Sequence, residues 1–142
     1  EITSAVIEAD ENAHGRIRSG DVVVFRTDWS DRFYRPFPAG EACLLDPING
    51  KSEGWPAPDA GAIAFLASRG VRCVAIDAPT IGGVDPKSAL KCYWTLGSKG
   101  MVAIEYLKGL GSLPANKETL LLFVGVKIQG AHAAPGRAIA FH

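Results

Sequence analysis

The sequence predicts an α/β fold, with a mixed sheet and flanking helices in a single domain over residues 1–142. Three features carry this prediction. Gly70 to Glu105 reads as strand, loop, helix and strand, and it ends with a carboxylate on an otherwise apolar run. Val22 to Thr27 (VVVFRT) is a β-branched and aromatic run of the kind found in strands covered on both faces. Thr119 to Ile128, the Gly130–Gly136 turn and Arg137 to Phe141 read as a terminal hairpin. Helices between strands, followed by a hairpin, give a sheet with both kinds of pairing.

Along the chain, residues 1–20 are polar and partly helical, with Ile2, Val6 and Ile7 on one face, and Ser19-Gly20-Asp21 is a turn. Trp29 to Trp55 is rich in Pro, Gly and aromatic residues and has no period. It reads as a long loop that is functional or covers a partner. Pro58-Asp59 starts a helix to about Ser68, with Ile63, Phe65, Leu66 and Ala67 on its apolar side and Gly70 as its stop. Val71 to Ile76 is the second core strand. Asp85-Pro86 is a strong helix start, because the carboxylate accepts an orphan N–H and proline lacks the donor that would go unpaired. That helix covers 86–97, and Gly97 and Gly100 offer the stop. Met101 to Ile104 resumes an apolar strand, and Lys108 to Glu118 is a loop with a Leu113-Pro114 stop.

Composition excludes several classes. A hydrophobic content of 47% with 21% charged residues is globular, not disordered. Fifteen basic and fifteen acidic residues leave no net charge, so neither nucleic acid nor an anionic membrane is an expected partner. Apolar runs such as Thr119 to Val126 are far too short to span a bilayer. Cys43, Cys73 and Cys92 are too far apart for a chelating pair and odd in number. They read as small buried residues in a reducing, cytoplasmic compartment. The chain opens on Glu1 instead of methionine, which suggests a trimmed product or a piece of a longer one. Glu1 is also not a nucleophile of the kind that self-cleaving hydrolases expose.

Four blocks occur in an order that resembles a known family: GDVVVFRTDW (Gly20–Trp29), GWPAPDAGAIAFLASRGVRCVAIDAPTIGGVDP (Gly54–Pro86), GMVAIEYLKGLGSLP (Gly100–Pro114) and LLLFVGVKIQGAHAAPGRAIAF (Leu120–Phe141). The chain is similar to the C-terminal part of the cyclase-like metal-dependent hydrolases, which include kynurenine formamidase and isatin hydrolase. The resemblance implies a swivelling β/β/α-type fold, a divalent metal (zinc or manganese), and hydrolysis of a cyclic or aryl amide or a lactone. It also implies a dimer or tetramer. The family's His-x-Gly-Thr-His-x-Asp-x-Pro segment is absent here, since His14, His132 and His142 lack that context. The resemblance therefore implies that the fold is incomplete without an N-terminal half, supplied as a missing segment or a companion chain. Of two further ligands it implies, Glu105 matches the glutamate, but Tyr93, twelve residues earlier, stands where a histidine would be.

Each candidate also has a plainer reading. Glu105, as a metal ligand, competes with an arginine partner or solvent at the strand end, because a buried charge must be satisfied. Tyr93 is the catalytic candidate, donating a hydrogen bond to substrate or to a metal-bound water; a phenol with a pKa of about 10 is a poor ligand. Its plainer role is packing with Ala89, Leu90 and Gly97. Trp94 is offset from it and fits an interface. Asp77 either bonds loop N–H groups or supports a metal ligand from behind. Arg26 and Trp29 close the first strand as substrate-binding candidates, or serve as an ion pair and a packing aromatic. His132 and His142 read as solvated. Two functions follow: a metal-dependent hydrolase completed by its other half, or a non-catalytic structural subunit that keeps the fold. Either way, exposed edge strands predict tight hetero-association with an N-terminal piece, then symmetric oligomerisation.

Overall fold

The structure, a computed structural model, describes residues 1–114 and 117–142. They form two compact units, Glu1–Gly111 and Ser112–His142.

The first unit is built on three parallel strands in the order β1-β2-β3: β1 (Val22–Phe25), β2 (Cys73–Ile76) and β3 (Val102–Ile104). Phe25 lies opposite Ile76, and Ala75 opposite Ile104. One sheet face carries Val23, Phe25, Val74, Ile76 and Ala103 into the core. There they meet Ile7 of α1 (Ser4–His14), Ile63 and Leu66 of α4 (Ala60–Ser68), and Cys92 and Leu96 of α5 (Pro86–Ser98). Helices α1 and α5 both pack on α4.

The helix starts follow their capping residues. Asp59 accepts the Ala62 N–H at 2.6 Å and Asp85 accepts the Ser88 N–H at 2.8 Å, each satisfying an orphan donor of the first turn. Gly70 (φ +85°) and Gly100 (φ +64°) supply the left-handed residue beyond each helix end. Gly97 stays within α5 and does not act as a stop. In α1 only Ile7 is buried; Val6, expected beside it, faces solvent.

The Trp29–Trp55 segment is not a plain loop. It holds α2 (Trp29–Phe33), a 3-10 turn (Ala39–Glu41) and α3 (Ala42–Ile48). The expected loop at Lys108 to Glu118 contains a 3-10 turn at Leu110–Ser112; residues 115 and 116 lie outside the described residues.

The second unit is an antiparallel hairpin, β4 (Leu120–Gly125) paired with β5 (Gly136–Phe141), with Leu122 opposite Ile139. Parallel and antiparallel pairing both occur, but in two separate sheets.

Candidate functional site at the carboxyl edge of the parallel sheet

Parallel strands direct their carboxyl ends to one edge, and open α/β sheets place ligands beyond that edge. Here the edge is formed by the residues that follow β1, β2 and β3: Arg26 to Trp29, Asp77 to Ile81, and Glu105 to Leu107. Four of the five candidate site residues therefore lie just past strand ends. Tyr93 comes from α5.

Glu105 and Tyr93 meet directly. The Tyr93 hydroxyl donates a short hydrogen bond to Glu105 Oε1. The same oxygen accepts the Ile81 backbone N–H at 2.7 Å. The Glu105 carboxylate is thus satisfied by a phenol and a loop amide, a pairing none of its anticipated partners included. Tyr93 is half-exposed. It lies off the core face of α5, which is formed by Cys92 and Leu96, and Leu90, expected to pack with it, is exposed.

Asp77 is 1% exposed and organises the end of β1. Its Oδ1 accepts from the Thr27 backbone N–H at 2.8 Å and from the Thr27 hydroxyl at 2.6 Å. The Thr27 hydroxyl in turn accepts the Trp29 N–H at 3.3 Å, and the Ser30 hydroxyl donates to the Asp77 carbonyl. Asp77 Oδ2 is buried with no hydrogen-bond partner among the described residues, and so is Trp29 Nε1.

Trp29 stacks edge-on against Trp55 at 5.9 Å, and Trp55 Nε1 donates to the Thr80 hydroxyl at 3.2 Å. Thr80 adjoins Ile81, so a continuous run of contacts links Trp29 to the Glu105–Tyr93 pair. Trp29 also lines a cleft of about 570 Å3 with Thr27, Phe33, Arg35, Pro47 and Pro56. That is within the size range of small-molecule pockets. Arg26 does not line this cleft. Its Nε bonds Asp28 Oδ1 at 2.6 Å, which raises its pKa further, and the pair is solvent-accessible.

Sequence reasoning missed Thr27, Ser30, Trp55 and the Ile81 amide. It also missed two strained positions. Asp28 (φ 59°) and Tyr106 (φ 61°) are the non-glycine residues with left-handed backbone among the described residues, and each lies just beyond a strand end of this edge. Such conformations cost of order 1–3 kcal/mol and cluster at working sites. No residue-type signal marks them, beyond the tolerance of Asp for this region.

Among the described residues no three His, Cys, Asp or Glu side chains converge as metal ligands. Glu105 Oε1 already accepts two hydrogen bonds, and a protonated phenol donates instead of lending a lone pair. Among the described residues the donors therefore do not make a metal centre by themselves, and Glu105 could lend one oxygen, Oε2, to an ion whose other ligands lie elsewhere.

The phenols of Tyr93 and Tyr106 and the thiols of Cys73 and Cys92 are held protonated. Burial, then the Glu105 hydrogen bond, keep the Tyr93 phenol above its ordinary range. Burial, then Asp59 and Glu105, push the Cys92 thiol up to about 11. Burial, then Cys43, push Tyr106 up to about 12. Cys43, Cys73 and Cys92 are free thiols, and burial raises Cys73 as well, which fits small packing residues and not nucleophiles. The ordinary values from which they are raised are 9.0 for the Cys73 and Cys92 thiols and 10.0 for the Tyr93 and Tyr106 phenols. Above those values the unfolded state has lost protons that the folded state keeps, so stability falls as pH rises. Urea midpoints are expected to decline from about pH 9 upward. Cys92→Ala is expected to flatten the profile between about 9 and 11, whatever its effect at pH 7. A midpoint level from pH 8 to 11 would contradict this reading.

Comparison with known proteins places this edge in context. The family model described as Putative cyclase matches residues 1–82. The chain is 31% identical over 144 residues to the isatin hydrolase of Roseibium aggregatum, covering 98% of this chain and 51% of that protein. The chain thus spans about half the length of the curated relative it matches. Isatin hydrolase A from Labrenzia aggregata, solved with benzyl benzoate, is similar with a TM-score of 0.77 at 27% identity, over 98% of this chain and 52% of that one. A potential metal-dependent hydrolase with cyclase activity gives a TM-score of 0.66 at 27% identity, over 96% of this chain and 56% of that one. In sequence and in fold, the chain belongs to the cyclase family.

Proposed function

We propose that this chain is the C-terminal half of a metal-dependent hydrolase that opens a cyclic or aryl amide or a lactone with water. The observation that carries the reading is the meeting of Glu105, Tyr93 and the Ile81 N–H at the carboxyl edge of the sheet. Likeness to an isatin hydrolase and to a potential metal-dependent hydrolase supports the substrate class and the metal. A divalent ion, zinc or manganese, would be held mainly by histidines and an aspartate outside these residues, on an N-terminal segment or companion chain with a His-x-Gly-Thr-His-x-Asp motif, with Glu105 as this chain's contribution. When bound, it activates water for attack on a carbonyl.

The roles of this chain's own residues follow from their contacts. Tyr93 keeps its proton and donates it to Glu105 as a hydrogen bond, so it fixes the carboxylate, and its hydroxyl oxygen is left to accept a hydrogen bond beside it. Trp29 forms an aromatic wall for a planar ring. Asp77 holds the turn that carries Trp29. Arg26, paired with Asp28 in solvent just past β1, is the further substrate-binding candidate, outside the cleft that Trp29 lines. The two halves assemble, and the assembly oligomerises symmetrically.

The test is to co-purify this chain with the segment carrying the histidine motif, measure bound metal, and assay ring opening of aryl lactams and lactones. A complex that binds divalent metal and hydrolyses one class supports the proposal. A folded complex that does neither would sink it. The phenol of Tyr93, standing where the family resemblance implies a histidine, favours a second reading, a non-catalytic structural subunit.

A further inference from the structure

The turn from Thr80 to Gly83 stands between the buried tryptophan and the Glu105 carboxylate, and one hydroxyl closes it. The Trp55 indole can only donate, and its Nε1–H goes to Thr80 Oγ1 at 3.2 Å. A hydroxyl has a single proton, and that of Thr80 goes to the Gly83 carbonyl at 3.0 Å. The two bonds therefore run in one direction, from indole to hydroxyl to carbonyl, and each polarises the next. Trp55 is buried, so the start of this run is held in place.

The closed turn presents one peptide to Glu105. Ile81 is fully buried, its N–H donates to Glu105 Oε1 at 2.7 Å, and its carbonyl accepts from the Cys92 thiol at 3.6 Å. Gly82 follows, and it lies so close to α5 that a Cβ there would stand 2.5 Å from Ala89 Cα. Ala89 and Tyr93 are four residues apart, on one face of α5. The approach at Gly82 therefore seats the turn one helical turn from Tyr93. The Ile81 N–H and the Tyr93 hydroxyl then converge on the same oxygen. With Oε1 held by both donors, the carboxylate keeps one orientation, and Oε2 takes neither bond.

We infer that Thr80 is a positioning residue, whose hydroxyl closes the turn that aims the Glu105 carboxylate. The use of Glu105 rests on the hydrolase reading, but its aim does not, so the two are tested apart. The aim is read in the full chain by NMR. An amide proton bonded to a carboxylate is shifted downfield and exchanges slowly. Thr80→Val is expected to move the Ile81 amide upfield and to speed its exchange by about 10-fold or more. Thr80→Ser keeps the hydroxyl and is expected to restore both. Thr80→Ala, which is smaller, gives the same reading if the valine variant does not fold. The use is read in the assembled protein, where Thr80→Val is expected to lower kcat by about 10-fold or more with KM little changed. Added to Glu105→Gln, Thr80→Val is expected to cost nothing further, because no carboxylate is left to aim. A fully additive loss marks a merely structural role and overturns the inference. So does a folded Thr80→Val or Thr80→Ala variant whose Ile81 amide is unmoved, or a Thr80→Ser variant that restores neither signal. If Glu105→Gln leaves turnover unchanged, the hydrolase reading fails, and the Ile81 amide still decides whether Thr80 sets the aim.

Discussion

Glu105→Gln in the assembled protein is expected to lower kcat by about 100-fold or more, with the fold intact. Gln is close in size and keeps a carbonyl oxygen that accepts from Ile81 N–H or from the Tyr93 hydroxyl, so the sheet edge persists. It removes the negative charge and the second carboxylate oxygen, Oε2, that the proposal needs. Losing a charged group that acts on the reacting atoms costs a factor of 10^2–10^4. Tyr93→Phe leaves the carboxylate and its Ile81 contact in place, so a smaller loss is expected. Glu105→Ala is a poorer probe, since it strands two donors at about 1–3 kcal/mol each and confounds stability with chemistry. Steady-state rates and circular dichroism on the same samples check this. Unchanged turnover in Glu105→Gln would establish the non-catalytic reading.

Much of the scaffold was legible, because its signals are local. Asp59 and Asp85 mark helix starts that the backbone adopts, since one side-chain acceptor satisfies one orphan N–H whatever the tertiary context. The apolar runs of β1, β2 and β3 were legible for a similar reason. Helix α2 was not. It has five residues and follows a left-handed Asp28, so it is too short to show a period. Helix α3 was obscured by Pro47 within it.

The site was half legible. A glutamate ending an apolar strand stands out, and so does Tyr93 twelve residues before it. Their contact does not, because it depends on how α5 lies against β3. The apolar pattern of α5 even misdirects. Leu90 and Trp94 are apolar yet exposed, while Cys92 and Leu96 face the core. The Ile81 N–H is invisible in sequence, since every non-proline residue carries that donor.

Asp77 gives the sharpest contrast between a residue that builds and one that reacts. Asp77→Ala removes the acceptor for both the backbone N–H and the hydroxyl of Thr27. The hydroxyl can turn elsewhere, but the part-buried amide is fixed by the backbone, and the turn leading to Trp29 loses its anchor. A loss of order 3 kcal/mol is expected in urea unfolding. Asp77→Asn keeps Oδ1 and puts an amide nitrogen where Oδ2 was. Oδ2 has no partner among the described residues, so the isolated chain loses no hydrogen bond and its stability is expected to change by less than about 1 kcal/mol. In the assembled protein the two readings separate. If Oδ2 accepts a hydrogen bond from a group outside this chain, such as a metal-bound histidine, Asp77→Asn replaces an acceptor with a donor. Activity then drops about 10-fold or more although the chain itself is as stable as before. If Asp77 only anchors the Thr27 turn, activity follows stability across both variants. Equal destabilisation by Asn and Ala would refute the anchoring role assigned to Oδ1.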